Sequence, residues 1–254
     1  MHANFARLLD LARGRYLAFL EGDDFWVAQD KLARQVELLE RSPNLAMCGT
    51  RTAIVERNSD GGWRPTGELG PAHVQPVYSF AEMIPHYNFH FSSVLVRRSA
   101  LELPEWVSRH YCIDRPLYLL VTQHGDAGFI DAVTSAYRQH EGGVWSGQGM
   151  RYKAEASRAL FPAFMEHFPA QYRPAFRRAL SGILWYYLST ARMAGDRASG
   201  RAVFPAALGV APLHRLRRAP REVLSMAIWL WAPRLDHAMR GAWGSLTLRG
   251  SNGA

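Results

Sequence analysis

The sequence has 254 residues, 48% of them hydrophobic and 20% charged, enough apolar material for a substantial core and too little charge for wholesale disorder. Its net charge of +8 is unevenly spread: residues 1–150 carry 14 Lys and Arg against 17 Asp and Glu, a balance of −3, whereas residues 151–254 carry 16 against 5, a balance of +11. Two well-separated cysteines, Cys48 and Cys112, exclude a disulfide framework and a zinc-ligand spacing. The N-terminus lacks the features of a secretory signal, and no apolar run approaches the ~20 residues that span a bilayer.

In chain order, Phe5, Leu8, Leu9 and Ala12 recur at helical spacing before Gly14, a candidate C-cap. "RYLAFLE" then reads as a buried strand, because its hydrophobicity is too continuous for a sheet with one wet face. Residues 27–43 predict a helix with a Leu32, Val36 and Leu39 stripe and Pro43 near its end. "LAMCGTRTAIVE" and "FHFSSVLVRR" are strand candidates. Between them residues 57–78, rich in Gly, Pro and polar residues, are expected to form a long loop or flap. Residues 114–124 predict a short helix and "GFIDAVTSAYRQH" a further strand.

From Met150 onward helical patterns dominate, at 151–168, 172–194 and 221–239, punctuated by Pro162, Pro169, Pro174, Pro205, Pro212, Pro220 and Pro233. Strands alternating with helices, followed by helices alone, predict an α/β fold over residues 1–149 and a basic α-helical extension over 150–254.

Three stretches hold residues suited to chemistry. Glu21, Asp23 and Asp24 follow the first strand, where ligands collect in open α/β sheets, and oxygen ligands of this kind suit Mg²⁺ or Mn²⁺. The alternative is an acidic turn whose Asp caps the following helix. Asp114 stands before an apolar helix with Pro116 two residues on, which suits either an N-cap or a general base toward a hydroxyl. In "AYRQHEGGVWSG", Arg138 and His140 precede a Gly142–Gly143 bend and Trp145, a pattern suited to phosphate; a structural His and a core Trp are the alternatives. "FHFSSVLVRRSALELPEW" offers neither metal nor nucleophile chemistry, and neither a Walker pattern nor a dinucleotide glycine fingerprint is present.

Together, "ARGRYLAFLEGDDFWVAQDKLARQVELLERSPNLAMCGT", "FHFSSVLVRRSALELPEWV" and "IDRPLYLLVTQHGDAGFIDAVTSAYRQHEGGVWSG" resemble, in that order, the latter part of a family 2 glycosyltransferase domain. The resemblance covers roughly residues 1–150. It implies a GT-A (Rossmann-like) fold and a nucleotide-sugar donor. It also implies that Asp23 is the main Mn²⁺ or Mg²⁺ ligand, with Glu21 and Asp24 near the donor's ribose and diphosphate. Asp114 falls at the catalytic-base position of inverting members. Arg138, His140 and Trp145 fall where the closing loop meets the diphosphate. Family members open with further βα units that bind the nucleotide base, whereas this sequence opens inside the helix before the acids. The expectation is therefore a GT-A-like domain lacking its N-terminal nucleotide-binding strands.

Residues 215–234, "RLRRAPREVLSMAIWLWAPR", pair an arginine cluster with Trp229 and Trp231. They suit a helix lying on an anionic membrane surface, or one packing its Val223, Leu224, Ile228 and Trp231 face on the α/β domain with its arginines solvated. Nucleic acid is a poor fit, since no stacking motif accompanies the arginines. The expected function is transfer of a sugar to a glycan or lipid-linked acceptor in polysaccharide or cell-envelope glycan synthesis, cytoplasmic or peripheral at the inner face of the membrane. The alternative is an inactive remnant serving as a partner- or membrane-binding module.

Overall fold

The computed structural model describes residues 2–85, 89–140, 143, 145, 147–210, 216–217, 219–232 and 234–235. The protein is mixed α/β, with one mixed sheet followed by a helical C-terminal region. It divides into two compact units: Met1–Gln148 with Ala159–Ala179, and Gly149–Arg158 with Leu180–Ala254.

The first unit is built around two long strands, β3 (Leu45–Arg57) and β7 (Asp126–Arg138), which lie parallel. Each has its outer edge shared by two short strands. Along β3 these are β6 (Leu95–Arg97) and, further out, β4 (Trp63–Leu69). Along β7 they are β5 (Val77–Tyr78) and β2 (Phe25–Trp26). β1 (Tyr16–Ala18) pairs antiparallel with β6, giving the order β1-β6-β3-β7-β2. Consecutive strands β1 and β2 therefore lie at opposite sides of the sheet, and the chain carrying the three acids crosses between them.

The first six residues of β3 are all buried, as befits a strand covered on both faces. Its outer half runs beyond that cover and pairs with the largely exposed β4. The loop or flap expected over residues 57–78 is thus a hairpin over much of its length. Its turn closes through Asn58 N–H donating to Gly62 O, with Gly61 at φ +86°, a conformation that favours glycine. The Gly, Pro and polar content that suggested a loop reflects a strand wet on both faces.

Helix α1 (His2–Leu11) precedes β1, and α2 (Lys31–Arg41) follows β2. The predicted apolar stripe of α2 is only partly the buried one: Lys31, Gln35 and Leu39 are buried while Leu32 is exposed. Gln35 explains this, because its Nε2 donates to Cys48 O and Ser93 O, satisfying two buried carbonyls. Lys31 Nζ donates to Gln35 Oε1 and lies 4.8 Å from the Trp26 ring centroid.

Helix α3 (Phe80–Met83) opens with a Ser79–Glu82 capping box, and α4 (Asp114–Thr122) is buried from Arg115 to its end. Helices α5 (Met150–His167) and α6 (Arg173–Met193) each contribute to both units. In the first unit Phe161, Phe164, Phe168 and Phe176 form an aromatic cluster. Phe80 reaches Phe168, Trp106 reaches Phe164, and the Arg115 guanidinium lies over Phe161.

The second unit adds α7 (Arg197–Val210) and α8 (Pro220–Trp231). α7 was not anticipated, because Pro205 reads as a break, yet the helix continues through it. α8 buries Val223, Met226, Trp229 and Leu230. This corrects the expected inward face: Leu224 and Trp231 are 62% and 54% exposed. Gly200 of α7 makes the packing close, since a Cβ there would lie 2.7 Å from both Leu230 and Trp229 side-chain atoms.

Candidate functional site

The acid-bearing chain folds as it does because apolar neighbours pin both its ends. Phe19 stacks on Phe91 at 4.6 Å, and Trp26 Nε1 donates to Ser92 O. Between them Asp24 is drawn inward, its side chain only 1% exposed, and its Oδ1 accepts from Arg138 N at the end of β7. The capping alternative for the triplet is not realised: β2 intervenes, and α2 begins only at Lys31, with Asp30 at its N-cap.

Asp24 Oδ2 is buried with no hydrogen-bond donor. It lies 3.6 Å from His90 Nδ1, a nitrogen that also meets Ser92 N and Ser92 Oγ. Glu21, Asp24 and His90 offer ligand atoms all within 4.8 Å of one another. An orphaned carboxylate oxygen beside a second carboxylate and an imidazole fits a divalent cation.

His90 comes from a stretch whose sequence reading gave it no metal chemistry, and the structure sets it beside the acids. Its position comes from Phe89, whose ring stacks on Phe129 at 5.7 Å and fills the space left by Gly49, where a Cβ would lie 2.4 Å from the ring. The His90 ring also rests on Tyr137 at 4.7 Å. Nothing local marks this histidine; only strand pairing brings residue 90 to residue 24.

The electrostatics of the trio agree with its geometry. Burial pushes Asp24 up to about 6 against the opposing hydrogen bond from Arg138. Glu21, although exposed at its edge, is pushed up to about 7 by desolvation and then by the charges of Asp24, Asp114 and Asp23. Burial holds His90 down at about 4, so its imidazole is neutral and able to ligate. Carboxylates that repel one another away from water present the condition a cation relieves.

Asp23 stands outside this trio: its Oδ2 is 3.3 Å from His140 Nε2. Arg138 Nη2 donates to Gly22 O, and its guanidinium lies 5.2 Å from the Trp63 ring centroid. Asp114 is the first residue of α4 rather than its N-cap, which is Ile113, and its Oδ1 accepts from Arg115 N. Burial pushes it up to about 6, and its charge is felt at Glu21. Trp145 stacks on Tyr111 at 4.8 Å with an interplanar angle of 13°. Gly142, also part of the predicted phosphate bend, lies outside the described residues. Thus Glu21, Asp24, Arg138 and Asp114 are linked directly or through one another, Asp23 and His140 form an adjoining pair, and Trp145 belongs with Tyr111. Sequence reasoning missed His90, Tyr111 and Trp63.

Among the described residues no helix is long and apolar enough to cross a membrane. No known family model matches the chain. It is 31% identical over 147 residues to uncharacterized proteins of Mycobacterium bovis and of two strains of Mycobacterium tuberculosis. The match covers 57% of this chain and 40% of each relative, so the chain spans well under half the length of the curated relatives it matches.

Proposed function

We propose that the α/β unit is a metal-assisted glycosyltransferase site of the kind found in family 2, acting on a nucleotide-sugar donor and a glycan or lipid-linked acceptor. Its place is on the cytoplasmic side, in polysaccharide or cell-envelope glycan synthesis. The observation that carries the proposal is the convergence of Glu21, Asp24 and His90 around an unsatisfied, buried carboxylate oxygen. Arg138 and Asp114 are coupled to the same acids.

In this reading Glu21, Asp24 and His90 hold Mn²⁺ or Mg²⁺, with Asp23 as a neighbour that orients His140. The cation supplies Lewis-acid neutralisation of the diphosphate. Asp114 accepts the proton of the acceptor hydroxyl while its oxygen bonds to the anomeric carbon and the bond from that carbon to the diphosphate oxygen breaks. A carboxyl pushed up to about 6 is a stronger base than an ordinary aspartate yet ionised at neutral pH. Arg138 and His140 bind the departing diphosphate, where negative charge grows most. The outer side of the Tyr111–Trp145 stack is the proposed contact for a sugar ring.

The test is thermal denaturation with nucleotide sugars, with and without Mn²⁺, on the wild type and Asp24→Asn. A ligand near 100 times its Kd stabilises by about 2.7 kcal/mol, which is several degrees in a chain of this size. The expected result is a metal-dependent rise in Tm for the wild type and none for Asp24→Asn. No metal-dependent rise, or a rise retained in the variant, overturns the proposal.

A further inference from the structure

Helix α8 is apolar on two faces. Val223, Met226, Trp229 and Leu230 are buried within the helical unit, and Arg197 Nε and Arg201 Nε donate to the carbonyls of Trp229 and Leu230 near its C-terminus. That face is accounted for. Leu224, Ile228 and Trp231 recur at i, i+4 and i+7, so they share a second face. Leu224 and Trp231 are largely exposed there, and Ile228 is half-buried. Trp231 is not loose: its ring meets Phe204 edge-on at 5.1 Å, which holds it in place with over half its surface uncovered.

The charges around this face have one sign. Arg221 lies one turn before Leu224, and Arg217 and Arg234 flank the helix; all three are exposed, and none forms a salt bridge with a described carboxylate. Glu222 is the sole acid within α8. The wider region carries 16 Lys and Arg against 5 Asp and Glu over residues 151–254. A protein interface also accepts Trp and Arg, but would have to supply carboxylates placed to meet each of these arginines. A bilayer with anionic headgroups meets both properties at once: arginines reach the headgroups while Leu and Trp enter the boundary with the acyl chains. The helix has 12 residues, roughly 18 Å at helical rise, too short to span and suited to lying flat.

We infer that the outward face of α8, made by Arg221, Leu224, Ile228 and Trp231 with Arg217 and Arg234 beside it, is a docking surface for an anionic lipid bilayer. It needs no glycosyl transfer, so it stands or falls apart from the proposed activity. Co-sedimentation with vesicles of phosphatidylcholine alone and of equal parts phosphatidylcholine and phosphatidylglycerol tests it.

The expected result is binding to the mixed vesicles only, weakened by salt. Leu224→Ser with Trp231→Ser should lower partitioning about tenfold or more, from the apolar area lost. Arg217→Gln, Arg221→Gln and Arg234→Gln should each lower it by roughly fivefold. Circular dichroism and Tm should be unchanged for Leu224→Ser and the arginine variants, while Trp231→Ser, which gives up the Phe204 contact, should lower Tm slightly and leave the helical signal intact. Quenching by brominated phospholipid should lose a component in Trp231→Phe. Equal binding to both vesicle types, no binding, or binding indifferent to the Leu224 and Trp231 changes overturns the inference. So does a dimer in gel filtration that Leu224→Ser disperses, because a second copy would then be the occupant.

Discussion

In the α/β unit, charged groups turn toward one another: Asp24 is buried against Arg138 and His90, Asp23 meets His140, and Glu21 feels Asp114. In the helical unit an exposed Arg151–Glu155 pair lies on α5, while the arginines on and beside α7 and α8 turn elsewhere. Arg197 and Arg201 cap helix carbonyls, and Arg217, Arg221 and Arg234 stand in solvent. The first arrangement holds carboxylates away from water at a cost in stability, which suits a site that a ligand completes. The second leaves like charges facing water, screened by salt and open to an external anion. Sequence charge alone separates these regions by sign; burial separates them by how that charge is held.

The largest effect expected from breaking this contrast is at Asp114. Asp114→Asn removes the proposed base, and transfer should fall by about 10²–10⁴-fold, the usual range for general-base catalysis, with donor-dependent stabilisation retained. Its folded pKa, about 6, exceeds the ordinary aspartate value of about 3.9. The folded state therefore favours the proton. The stability associated with that preference is fully present below about pH 4 and is lost as pH rises through about 6. Wild-type turnover should rise with pH over the same interval. Asp114→Asn, neutral throughout, should melt above the wild type at pH 7.5, with the gap closing near pH 4. A variant less stable at both pH values would instead make Asp114 a structural residue.

Next in size are glycine substitutions that set the two units side by side. At Gly49 a Cβ would lie 2.4–2.8 Å from the Phe89 ring, and at Gly200 it would lie 2.7–2.9 Å from the Trp229 ring. Each alanine should cost roughly 1–3 kcal/mol through overpacking. The consequences should differ. Gly49→Ala displaces Phe89, and with it His90, so the metal-dependent rise in Tm should be lost as well. Gly200→Ala loosens α8 and should leave that rise intact. Gly182, in α6 with nothing within 4 Å of its Cβ position, supplies the control: Gly182→Ala should stabilise by roughly 0.5–1 kcal/mol. Thermal melts with and without Mn²⁺ read all three.

The legible and illegible parts of the molecule follow the same division. Helix α4 and strand β7 could be read because their signals are local: a continuous apolar run in α4, and a β-branched and aromatic run in β7. The alternation of strands and helices was enough for the α/β class. α7 escaped because proline is a strong prior against a helix interior, and β4 escaped because a strand exposed on both faces carries no period-2 hydrophobic signal. The site divided likewise. Glu21, Asp24 and Asp114 advertise themselves by charge beside apolar runs. His90 does not, because its meaning lies in pairing between β1 and β6 and between β2 and β7, which no short window contains. The inward face of α8 was misassigned because both of its faces are apolar; only packing around Gly200 decides between them.

The smallest effect tests whether buried charge in the α/β unit is confined to its functional groups. Lys31 is 1% exposed, hydrogen-bonded to Gln35 and set against Trp26, outside the Glu21, Asp24 and His90 group. Burial lowers its pKa to about 8, below the ordinary lysine value of about 10.4. The unfolded chain therefore holds this proton more tightly than the folded one, and the charged form is a burden on the fold below pH 8 that lifts as pH rises from about 8 to about 10. Lys31→Met keeps the length of the side chain and its contact with Trp26 but has no charge to desolvate. It leaves Gln35 Oε1 without its donor, a loss of about 1 kcal/mol that offsets much of the gain. The net change at pH 7 should be within about 1.5 kcal/mol, and the stability of the variant relative to wild type should fall as pH rises through 8 toward 10. Chemical denaturation across that interval measures the slope; a flat difference would mean that Lys31 stays charged and hydrated in the folded state, with no shift from its ordinary value, and that only the acid site bears the cost of buried charge.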